Sequence, residues 1–203
     1  MSWQTLAPAE VPLRLADWLA SDHGVIRLAV DGPDCSEPAQ LAQAIVGPLR
    51  ALGRPVIHIQ ASSFWRDASL RLEHGRHDCE SYPTWLDADA LRREVLEPAV
   101  HAASVLPSLR DPVTNRSTRE PARPVEPQTV LVVSGSLLLG RGLPFDRTIH
   151  LVMSPVARAR RTPAEEAWTL PAFDAYDEAV RPAEIADVAI RVDRRYPAVR
   201  GLR

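Results

Sequence analysis

Residues 32 to 39, GPDCSEPA, have the spacing of a phosphate-binding loop without its chemistry. In a loop of the form GxxxxGK[ST], backbone N–H groups wrap the phosphates, a lysine neutralises them and a hydroxyl holds magnesium. Gly32 opens the pattern, but Glu37, Pro38 and Ala39 stand where Gly, Lys and Ser or Thr are required. Glu37 brings a carboxylate to the place of a polyphosphate. Pro38 deletes the lysine charge and a backbone donor, and Ala39 lacks the magnesium-facing hydroxyl. No lysine elsewhere can substitute, because all 24 basic residues are arginine. Asp34, Cys35 and Ser36 fill the loop, and its plainer reading is a strand-turn-helix with Asp34 or Ser36 capping the helix.

Other residues able to do chemistry fall at the ends of apolar runs. PVIHIQ, residues 55–60, leads into Ala61, Ser62, Ser63 and Phe64, and the run 129–133 leads into Ser134, Gly135 and Ser136. In an open α/β sheet, ligands bind beyond the carboxyl ends of the strands. Glu73, His74, His77, Asp78, Cys79 and Glu80 are metal-capable side chains within eight residues. Gly75 and the lack of a second ligand pair favour a solvated loop there, so no metal site is expected. His58 and His150 lie within apolar strands and read as core or sheet-edge residues.

The elements that must position these residues alternate. Strands are expected at 25–30, 55–60, 129–133, 148–153 and 186–193, with helices near 13–24, 36–52, 87–103 and 172–180. Gly47 and Pro48 predict a kink or an early end in the second helix, and Asp87 is a candidate cap for the third. Residues 1–12 read as a loose lead-in, 104–128 as a Pro-rich excursion, and 154–171 as an Arg-rich segment broken by Pro163. The pattern predicts one three-layer α/β domain around a five-stranded, mostly parallel sheet.

Composition narrows the function classes. The 203 residues suit one domain with a full core, and a net charge of −2 gives no field suited to nucleic acid or an anionic membrane. No signal peptide or membrane-spanning run is apparent, so a cytoplasmic protein is expected. Cys35 and Cys79 are not closely spaced and read as free thiols.

Taken in order, several stretches resemble the uridine kinase branch of the P-loop kinases, in the form found in actinobacterial proteins of this length. They are AVDGPD at 29–34, the strand leading to Phe64, GRHDCESY at 75–82, DADALRREVLEP at 87–98, VLVVSG at 130–135, and EAVRPAEIADVAIRVD at 178–193. The resemblance covers roughly residues 20 to 195 and implies a P-loop kinase-like fold. It also implies where the catalytic groups should be. The family carries Asp-Asp-Phe after the second strand, where this chain has Ser62, Ser63 and Phe64. It expects a third acid where this chain has Ser134. Arg158, Arg160 and Arg161 are the counterparts of its phosphate-gripping lid arginines, in a shortened lid-like segment. Asp31, Ser62, Phe64, Arg76 and Tyr82 would line the acceptor side.

The expectation is therefore a degenerate kinase that keeps the fold and a nucleoside or other small-molecule pocket but lacks the phosphate-binding lysine and the catalytic acids. One alternative is an active nucleoside or small-molecule kinase that uses arginine in place of lysine, for which ATP and magnesium would be needed. Another is a protein-interaction module built on the 104–128 excursion.

Overall fold

The computed structural model describes residues 2–202. The chain opens with strand β1 (Gln4–Thr5) and helix α1 (Glu10–Ala20), then enters β2 (Ile26–Asp31) and α2 (Pro38–Ala51). β3 (Val56–Gln60) and the single turn α3 (Ala68–Arg71) precede a helical stretch built from α4 (Ala88–Leu91), a π-helical turn (Arg92–Leu96) and α5 (Glu97–Val100). A two-stranded ribbon, β4 (Ser104–Val105) with β5 (Arg123–Pro124), brackets the Pro-rich excursion. β6 (Val130–Gly135), β7 (Arg147–Val152), α6 (Pro155–Arg161), α7 (Leu170–Ala179), α8 (Pro182–Ile185), β8 (Val188–Arg191) and β9 (Ala198–Arg200) complete the fold.

The main sheet runs β1-β9-β8-β7-β2-β6-β3. The five consecutive strands β8-β7-β2-β6-β3 are all parallel, with β3 at the sheet edge. These are the five strands expected. The sheet has seven because β9 adds antiparallel to β8, and β1 to β9. The segment expected as a loose lead-in thus supplies an edge strand and the first turn of α1.

Period-two alternation builds the layers. Ile26, Leu28 and Val30 of β2 join Val130 and Val132 of β6 in one core beneath α1 and α2. Ala29, Leu131 and Val133 point the other way, into a second core with Leu91, Val95 and Leu96. Burial on both faces explains why β2 and β6 read as nearly continuous apolar runs.

Two prolines shape the helices. α2 continues through Pro48 instead of ending there. Pro48 costs only the bond to Ala44, while buried Ala42, Ile45 and Leu49 hold both sides of it on the core. In the α4–α5 stretch, Pro98 has no N–H to give the Glu94 carbonyl. The Leu106 N–H donates to that carbonyl at 3.0 Å instead, next to the π turn. Asp87 caps α4 as expected, accepting from the Ala90 N–H at 2.9 Å. Both cysteines are free. Among the described residues, no helix is long and apolar enough to cross a membrane.

Candidate functional site

β2 lies between β6 and β7, and chain connections leave it in both directions, which makes its carboxyl end a topological switch point. A cleft of about 330 Å³ opens there. Its walls come from the loop after β2 (Asp34, Glu37), the turn after β3 (Ser62), the end of β6 (Ser134, Ser136), and Tyr82 and Arg141 from flanking loops.

The loop after β2 is folded onto itself. Asp34–Ser36 forms a 3-10 turn in which Ser36 N–H donates to Pro33 O at 2.7 Å and Glu37 N–H to Asp34 O at 2.9 Å. Pro33 and Pro38 have no N–H to offer. Neither Asp34 nor Ser36 caps α2; Glu37 takes that position in a left-handed conformation, with no side-chain cap. The Ser36 hydroxyl instead donates to Pro33 O at 2.6 Å. A Cβ on Gly32 would lie 2.6 Å from Ser36 Oγ and 2.8 Å from Leu151 Cβ, so only glycine fits this packing.

Asp34 reaches into the cleft and is gripped there. Tyr82 Oη donates to its Oδ2 at 2.9 Å, and Ser136 Oγ lies 2.8 Å from its Oδ1 and 2.8 Å from Gly32 O. Burial, reinforced by the Asp34 charge, pushes the Tyr82 phenol well above its ordinary value, so the hydroxyl stays a donor. Glu37 and Asp34 both face the cleft, whose single arginine, Arg141, is bonded to Leu137 O and Pro83 O.

The remaining sequence candidates separate sharply. Asp31 is fully buried and saturated, accepting from Leu138 N–H at 2.8 Å and Tyr176 Oη at 3.0 Å, with His150 Nδ1 at 2.7 Å. It orders the turn after β6 and lies outside the cleft lining. Phe64 is fully buried in the second core, and Arg76 is an exposed loop residue. Ser62 lines the cleft, whereas the Ser63 carbonyl anchors the 104–128 excursion through Leu109 and Arg110 N–H, each at 3.1 Å. Ser134 Oγ pairs with His58 Nε2 at 2.8 Å, and burial lowers the His58 pKa.

The lid-like segment differs most from expectation. Arg158 is 1% exposed and bound to Asp174 and, at 2.7 Å, to Asp177, so its guanidinium is committed to α7. Arg160 and Arg161 are exposed. Cys35 is partly buried against Met153 and the Arg158 carbonyl. Among the described residues, no group of three His, Cys, Asp or Glu is arranged to hold a metal.

Sequence reasoning missed Arg141, Tyr176 and an aromatic cluster beside the cleft. Tyr82, Trp85, Trp168 and Phe173 meet there with ring centroids 5.2–5.9 Å apart. Trp65 stacks edge-on against Trp85, and Arg71 lies over both indoles. Five tryptophans in 203 residues were the available signal, but their spacing does not show that three converge.

No protein-family model and no curated protein matches the chain. Solved structures do. A possible uridine kinase from Bacillus stearothermophilus superposes with a TM-score of 0.71 at 18% identity, over 89% of this chain and 98% of that one. A putative fructose transport system kinase from Silicibacter sp. TM1040 gives 0.61 at 19% identity, over 88% and 89% of the two chains. The YGR205w protein gives 0.59 at 12% identity, over 96% and 99%. The fold is thus that of the uridine kinase-like P-loop kinases, as the sequence resemblance implied.

Proposed function

We propose that the chain is a degenerate uridine kinase-like protein, one that keeps the kinase fold and a small-molecule pocket and does not transfer phosphate efficiently. The observation that carries this reading is the self-closed loop after β2, with the Asp34 carboxylate held in the cleft by Tyr82 and Ser136. Phosphoryl transfer depends on donors and cations preorganised around the phosphate oxygens. The residues present do not fit ATP and magnesium. Two loop N–H groups are used internally, two prolines have none, and two carboxylates face the cleft.

Arginine does not replace the missing lysine in this arrangement. Arg158 is bound to α7, and Arg141 donates to two carbonyls. The 104–128 excursion is likewise engaged with the chain itself, through Ser63 and an Arg110–Asp67 ion pair at 3.0 Å. A ligand on the acceptor side is the role these features favour. An ADP-release assay with magnesium-ATP and uridine or cytidine should stay at the no-protein background. Sustained, metal-dependent turnover overturns the proposal.

A further inference from the structure

At the β1 end of the sheet, one row of residues is covered on one face only. Leu6, Leu151, Ile190 and Val199 face the first core beneath α1 and α2. Thr5, Ala198, Arg191 and Val152 pair across β1, β9, β8 and β7 and alternate to the other face, where they floor an open cavity of about 810 Å³. Arg194, Arg195 and Tyr196, in the turn from β8 to β9, supply its wall. No residue lines both this cavity and the cleft at the end of β2.

The chain does not neutralise the charge gathered here. Among the described residues, no carboxylate forms an ion pair with Arg191, Arg194, Arg195 or Arg200. The acid in the lining, Asp193, already accepts the Ser154 N–H at 3.0 Å. The patch is therefore positive on a chain whose net charge is −2. Aromatic rings are interleaved with the arginines. Arg191 lies over the Trp3 ring, 4.0 Å from its centroid, and Arg200 over the same ring at 5.2 Å. Tyr196 is 53% exposed, with Arg195 over its ring at 5.7 Å. Tryptophan, tyrosine and arginine are the types enriched at the energetic centres of protein–protein interfaces.

We propose that this face docks an acidic segment of a partner protein, laid in extended form along the row with its carboxylates on Arg191, Arg194 and Arg195. The planar arginine fork matches a carboxylate with two parallel hydrogen bonds. A second copy of the chain does not suit the face, because a two-fold contact would set the same positive patch against itself. Nucleic acid suits it less than an acidic peptide does, since the rest of the chain repels a phosphate backbone. The outer edge of β1 carries no strand, so an extended peptide also finds main-chain groups to pair with.

The test is fluorescence anisotropy on the full chain with a labelled (Glu-Thr)4 peptide, whose alternation puts every carboxylate on one face of an extended strand. (Gln-Thr)4 and an eight-nucleotide single-stranded oligo-dT are the comparison probes. The Glu peptide should bind saturably and weaken as salt rises from about 50 to 300 mM. The Gln peptide should bind at least about tenfold more weakly. Arg194→Gln with Arg195→Gln, both at exposed positions without an ion pair, should weaken the Glu peptide by about tenfold or more and leave Tm unchanged. Absence of binding, equal affinity for the Glu and Gln peptides, or an unaffected double variant overturns the proposal. Oligo-dT binding as tight as that of the Glu peptide overturns it too, in favour of a nucleic-acid surface.

Discussion

Replacing Tyr82 by phenylalanine removes one oxygen from the wall of the cleft and keeps the ring. The lost interaction is a 2.9 Å hydrogen bond from a side chain that is 7% exposed to a carboxylate. Hydrogen bonds to charged groups contribute about 1.5–3 kcal/mol net. Asp34 is exposed and regains water when released, which places the loss at the lower end, about 1.5 kcal/mol. At about 2–4 °C per kcal/mol for a domain of this size, Tm should fall by roughly 3–6 °C. Asp34→Ala loses the Ser136 contact too and leaves the buried Tyr82 hydroxyl unpaired, so it should cost more, about 2–3 kcal/mol. Because both changes remove the same bond, the double variant should fall short of their sum by about 1–1.5 kcal/mol. Urea unfolding followed by tryptophan fluorescence measures all corners of the cycle. A coupling within about 0.3 kcal/mol of zero would mean that Asp34 is not held in the cleft, and the closed-loop reasoning would fail.

Further outcomes follow from the same geometry. Asp31→Ala leaves His150, Tyr176 and the Leu138 N–H without their shared acceptor and should cost about 3–5 kcal/mol in chemical unfolding, with Asp31→Asn milder. Gly32→Ala forces a methyl against Ser36 and Leu151 and should cost about 1–3 kcal/mol, measured the same way. Burial alone would raise the Asp146 carboxyl, but the Arg27 hydrogen bonds outweigh it and hold it below the usual carboxylate range. Its contribution is therefore full above about pH 4 and lost as pH falls through the lowered folded value. Arg27→Met should reduce the loss of urea midpoint between about pH 5 and pH 3, and an unchanged acid slope would refute this assignment.

The parallel strands were legible because the central pair, β2 and β6, is buried on both faces and reads as nearly continuous apolar runs, while β3, β7 and β8 still carry short β-branched runs. The two antiparallel additions were not. Gln4–Thr5 and Ala198–Arg200 are two and three residues long, and their pairing is fixed by contact across almost the whole chain. Pro48 suggested a break, but local cost was outweighed by the buried side chains flanking it. The missing lysine was visible from the loop's spacing and the replaced acids only through the family resemblance, whereas the fate of Asp34 was visible from neither. Its partners Tyr82 and Ser136 lie 48 and 102 residues away. Arg158 read as a phosphate ligand because its burial depends on Asp174 and Asp177, one helical turn apart on a later helix. The fold transmits through period-two and helical patterns; the site depends on which polar side chains meet across loops, and no local pattern encodes that.

Calorimetric titration of the full chain with magnesium-ATP tests the closed loop most directly. With the Ser36 and Glu37 N–H groups bonded inside the loop and two carboxylates facing the cleft, the protein should give no saturable heat up to about 1 mM, equivalent to binding weaker than about −4 kcal/mol. A dissociation constant near 1 µM, about −8 kcal/mol, would mean that the loop opens to receive a polyphosphate, and would contradict the account.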